Sequence, residues 1–210
     1  MLPAGLAEAE VRGLLQQVRE GDRAALDELL ARHRGYLLDL VQLRMDQKMR
    51  ARIDPSDVVQ EAQLEAAQRI GDYLGREPMP FHIWLRKTAY ENLLRLRRQH
   101  VEAECRSVEK QIALPDSSSA MLALNILSRE PNPGTQAVEQ ELARRLHDAI
   151  ARLPEIDAEI LLMRNLEGLT NQEAAQVLDL EPAATSKRYG RAILKLRQLL
   201  FNGGLSGSKI

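Results

Sequence analysis

Lys187, Arg188, Arg191, Lys195 and Arg197 are the only charged residues between Pro182 and Leu200, and all five are cations. Such side chains neutralise phosphates, and a Lys or Arg also reaches the O6 and N7 acceptors of guanine in the major groove. At the helical period, Lys187, Gly190, Arg191 and Gln198 share one side, flanked by Arg188 and Lys195. Thr185, Tyr189, Ala192, Ile193, Leu196, Leu199 and Leu200 fall on the other.

The segment in front supplies what such a helix needs. Thr170 and Glu173 have the spacing of a capping box, so a helix of about two turns should start there. Ala174 and Ala175 permit a close crossing, and Val177 and Leu178 are core contacts. Asp179 stands in the turn, where Gly would be the least costly left-handed residue, and Pro182 suits the first position of the next helix. Helix, tight turn and basic helix together read duplex DNA in the major groove. The plainer reading is a solvated helix of a bundle, but such a surface usually mixes both charge signs.

A second basic run lies at Phe81 to His100. One face carries Phe81, Leu85, Ala89, Leu93 and Leu96; the other carries Lys87, Tyr90, Leu94 and Arg98, with Arg86 and Arg97 at its edge. Cations interleaved with an aromatic ring suit single-stranded or melted nucleic acid. Trp84, between the faces, is expected to be a wedge in the core.

The helix Asp57 to Ile70 is acidic instead. Val58, Val59, Ala62, Ala66 and Ile70 form its core stripe, while Asp57, Gln60, Glu61 and Gln68 surround Leu64 opposite. An apolar residue with a polar rim is the pattern of a protein-binding hot spot. It is equally the pattern of an ordinary soluble face with one exposed leucine.

Composition sets the frame. The 210 residues carry 3% aromatics and a net charge of −1, with Asp54 to Glu65 purely acidic and Pro182 to Leu200 purely basic. No alternating strand pattern is present, so the expected class is all-α: two small helical domains, at 6–106 and 136–202, with a flexible linker at 107–135 and a tail at 203–210. Pro, Ser, Asn and Gly clusters around Pro115 and Pro131 mark the linker, with an apolar patch at Ala120 to Leu127 that suits a short helix or a docking peptide. No run approaches the roughly 20 apolar residues of a membrane span and no leader pattern opens the chain, which predicts a cytoplasmic protein. Cys105 is single, and His33, His82, His100 and His147 are scattered without metal-ligand spacing, so neither metal nor cofactor is expected. No catalytic constellation is assembled, which argues against an enzyme.

Asp54-Pro55-Ser56-Asp57-Val58-Val59-Gln60-Glu61, Phe81-His82-Ile83-Trp84-Leu85 with its arginine-rich helix end, and Leu153-Pro154 with the helix-turn-helix occur in that order. In this the chain resembles bacterial RNA polymerase sigma factors of the extracytoplasmic-function type, over most of its length. The resemblance implies a region-two domain whose Asp57, Gln60 and Glu61, with Leu64 as neighbour, dock on the clamp coiled coil of core polymerase. It implies that the segment Arg97 to Arg106, with Lys87, Tyr90, Arg98 and His100, meets the minus-ten element. In a region-four domain, Ser186, Lys187, Arg188, Gly190, Arg191 and Lys195 would meet the minus-thirty-five element, with the polymerase flap as a further partner. The linker would thread toward the RNA exit path, no region-one extension is expected, and an anti-sigma factor is an implied partner.

Asp179 departs from the family's frequent Gly, and Ala183 and Ala184 offer at most thymine methyl contacts, so base reading falls to Lys187 and Arg191. Few aromatics near the minus-ten surface predict weak intrinsic melting. A polymerase-independent regulator using the same helix-turn-helix is the alternative function, although it leaves the basic run at Arg86 to Arg98 without a task. A purely structural adaptor leaves both basic faces unexplained.

Overall fold

The structure, a computed structural model, describes residues 8–45, 47–100, 144–146 and 148–202, and for residues 47, 48, 100, 201 and 202 only the backbone. They fall into two units, and every regular element among them is a helix. The expected linker, the apolar patch at Ala120 to Leu127, Cys105, His147, the start of the second domain at 136–143 and the tail lie outside the described residues.

The first unit is built from α1 (Glu8–Arg19), α2 (Arg23–Arg44), the single turn α3 (Gln47–Arg50), α4 (Pro55–Arg76) and α5 (Phe81–His100). Local chemistry sets their ends. Gly21 turns the chain at φ 94°, and the Asp22 carboxylate then accepts the amides of Ala24 and Ala25 to start α2. Asp54 caps α4 through the Ser56 amide, with Pro55 in the first turn, where its missing N–H leaves nothing unpaired. At its far end Glu77 takes the left-handed conformation, and the Arg19 guanidinium of α1 pairs with its carboxylate. The α4 helix thus runs from Pro55 to Arg76, beyond the expected Asp57 to Ile70.

Helices α2 and α5 both pack on α4. Val58, Val59, Ala62 and Ala66 are buried on its inner face, where the two alanines allow neighbours to approach closely. The Gln63 amide donates to the Leu30 carbonyl of α2 at 2.7 Å, which fixes the rotation of α4 and leaves Leu64 outward. At one end of this core His33, Tyr73, Phe81 and Trp84 form an aromatic cluster with centroid separations of 4.7 to 5.7 Å, so Trp84 is a core residue as expected.

Within the second unit, residues 144–146 and 148–150 are helical and precede α6 (Glu155–Asn165), α7 (Asn171–Leu178) and α8 (Pro182–Asn202). Leu146, Ala149, Ile150, Leu161, Leu162, Ala192, Leu196 and Leu200 share its core. The apolar stripe expected on α8 is the face that meets it, with Thr185 buried and Tyr189, Ile193 and Leu199 half-buried.

Candidate functional site

The helix-turn-helix is assembled from local bonds. The Thr170 hydroxyl accepts the Glu173 amide at 3.2 Å, and the Glu173 carboxylate accepts the Thr170 amide at 2.7 Å, completing the expected capping box. Asp179 closes α7 in the left-handed region at φ 53°, and the Leu180 amide reaches back to the Ala175 carbonyl at 2.9 Å. The turn therefore has the geometry that Gly would adopt without strain. Across it, the Asn171 side-chain amide donates to the Pro182 carbonyl at 2.9 Å, and α8 starts at Pro182.

This arrangement puts Ser186, Lys187, Gly190 and Arg191 on the exposed side of α8 with Lys195. Together with Leu194, the first four line one open concavity. Arg188 is placed differently from the sequence expectation. Half-buried, it donates to the Asp157 carboxylate of α6 at 2.9 Å, a bridge to a nearly buried acid that ties the two helices together. Tyr189 adds a second tie, its hydroxyl donating to Asn165 at 3.2 Å beneath the Arg164 guanidinium, which lies 5.5 Å from the ring centre. Leu194 is the residue that sequence reasoning missed: it is 62% exposed, and at 100° per residue it lies between Gly190 and Arg191. That periodicity could have found it.

On α4, Asp57, Gln60 and Glu61 are all exposed, and Leu64 at their centre is 58% exposed. The apolar residue and polar rim are therefore one continuous outward face. Glu61 and Glu65 both lie 3.7 Å from the Arg95 guanidinium of α5, so a cation absent from the expected site borders this acidic face.

The basic face of α5 is narrower than its sequence suggested. Lys87 and Arg98 are exposed, but Arg97 is half-buried with its Nε enclosed, and the side chain of His100 lies outside the described set. Arg86, expected at the edge of the open face, is instead buried at 1% exposure. Tyr90 is half-buried against the core, with the guanidinium carbons of Arg44 and Arg86 5.0 and 5.6 Å from its ring centre. Its π system already serves two cations, which corrects the expectation of a ring freely available for stacking. The missed partner is Arg44, buried at the end of α2, whose place could not be inferred before α2 and α5 were packed together.

The family model described as sigma-70, region 4, matches residues 143–196. The chain is 25% identical over 181 residues to an ECF RNA polymerase sigma-E factor of Haemophilus influenzae, covering 86% of this chain and 90% of that protein. It is 26% identical over 190 residues to the RNA polymerase sigma factor CnrH of Cupriavidus metallidurans, covering 90% and 93% of the two. A solved structure of CnrH, in complex with the cytosolic domain of CnrY, aligns with a TM-score of 0.55 at 23% identity, covering 92% of this chain and 98% of that one.

Proposed function

We infer that this chain, which belongs to the extracytoplasmic-function group of the sigma-70 family, binds core RNA polymerase and directs it to promoters. The observation that carries the inference is the exposed face of α8, where Lys187, Arg191 and Lys195 stand clear of any acid on their own helix behind a capped helix and a closed left-handed turn. Charge of one sign on a rigid helix recruits phosphates, and its position after a short helix and turn suits entry into the major groove.

Exposure, chemistry and the family resemblance support the following roles for individual residues. Asp57, Gln60, Glu61 and Leu64 provide the polymerase-docking face of α4, as an apolar contact surrounded by groups that exclude water. Lys87, Arg97, Arg98 and His100 serve the minus-ten element; Tyr90 contributes there by holding Arg86 and Arg44 in place. Ser186, Lys187, Gly190, Arg191 and Lys195 meet the minus-thirty-five element, and Arg188 holds α8 at the angle that this contact needs. The protein works with polymerase in the cytoplasm, and an anti-sigma factor is its expected inhibitory partner, as CnrY is found bound to the relative CnrH.

The polymerase contact is tested by pull-down of core polymerase. Replacing Asp57, Gln60 and Glu61 together by Ala should abolish association and leave helix content intact, since all three side chains are exposed. Unchanged association would remove α4 from the docking role.

A further inference from the structure

Gly190 and Leu194 are unusual occupants of a basic, exposed helix face, and the fold explains neither. Gly190 lies inside α8, where glycine is less favourable than alanine, yet a Cβ built there would meet no protein atom within 4 Å and the backbone is not left-handed. Leu194, one turn on, leaves 62% of its surface in water. The two residues fall on one line with Ser186, and with Lys187 and Arg191 they line the concavity described above.

Resting on the reading of this face as the one that meets duplex DNA, we propose that Gly190 and Leu194 form an apolar notch for the C5-methyl of a thymine in the minus-thirty-five element. The flanking cations select a polyanion as the occupant, and within the major groove the thymine methyl is the apolar group presented at a base edge. The absent side chain at Gly190 lets the base edge approach the helix backbone, and Leu194 covers the methyl from the side. Lys187 and Arg191, together on the adjacent row of the helix, hold phosphates or guanines, so the notch adds selectivity for thymine at one position.

The test uses the full chain with core polymerase on a promoter fragment that it transcribes, with each thymine of the upstream element replaced in turn by deoxyuridine, which removes the methyl alone. The wild-type holoenzyme should lose about fourfold in affinity at one position, the worth of one buried methyl. In Leu194→Gln that deoxyuridine penalty should vanish while the response at the other positions is unchanged. Gly190→Ala should melt no lower than the wild type and also lose the penalty, because its methyl occupies the notch. Tolerance of every deoxyuridine, or an unchanged penalty in Leu194→Gln, overturns the notch while leaving the sigma-factor role standing. A weakened association of Leu194→Gln with core polymerase, with methyl dependence intact, would assign the leucine to a protein contact instead. Failure to transcribe from any template defeats the sigma-factor role, and the notch with it.

Discussion

Arg188 and Arg191 stand three residues apart on α8, yet Arg191 faces solvent while Arg188 is held by Asp157. Asp157→Asn removes the charge from a bond in a largely enclosed setting, and should lower the stability of the second unit by about 1–2 kcal/mol in urea unfolding. Arg188→Ala should weaken promoter binding while leaving the slope of log affinity against log salt unchanged; Lys187→Ala should reduce that slope by about 1. Equal slopes for the two variants would put Arg188 on a phosphate. In the first unit, burial lowers the pKa of His33 below its ordinary value and nearby His82 lowers it further, against the opposing effect of the hydrogen bond to the Leu29 carbonyl at 2.7 Å. The neutral ring, donating from Nδ1, is therefore the native form. Because the folded value lies below the unfolded value of about 6.5, this contribution to stability is complete above that pH and is lost as pH falls through 6.5 toward the folded value. Urea midpoints followed through Trp84 fluorescence should drop over that window, and His33→Gln should flatten the drop.

The helix-turn-helix shows how an element's own ends fix its shape. Thr170→Ala breaks the capping box and should cost about 1 kcal/mol, whereas Asp179→Gly relieves a left-handed non-glycine residue and should raise stability by about 0.5–1 kcal/mol. Opposite shifts in the melting temperature of the two variants check both. This element was legible in the sequence because its signals are local: the cap at Thr170, the turn at Asp179, the proline at the start of α8 and the period of its apolar stripe. The outward face of α4 was legible for the same reason, since the 3.6 period alone separates Val58 and Ala62 from Gln60 and Leu64. What the sequence could not show depends on neighbours from other elements. Arg86 is buried where α2 brings Arg44 against the Tyr90 ring of Arg86's own helix, and Arg188 turns away from the solvent because α6 offers Asp157. A cation on a helical wheel carries no mark of whether an acid waits beside it.

At the scale of the whole molecule, function depends on two units sharing one chain. An acidic face on the first and a basic face on the second explain why the net charge of −1 conceals a DNA-binding protein. With both units meeting the promoter as proposed, covalent linkage would give the second contact a high effective concentration once the first has formed, so neither unit would need to hold promoter DNA tightly alone. A regulator acting without polymerase would need tight binding from the helix-turn-helix by itself. Run-off transcription with sigma-free core polymerase on pooled genomic templates separates these accounts most directly. Addition of this chain should produce discrete transcripts that disappear when Asp57, Gln60 and Glu61 are replaced by Ala. Absence of any chain-dependent transcript, with the chain still binding duplex DNA on its own, would contradict it.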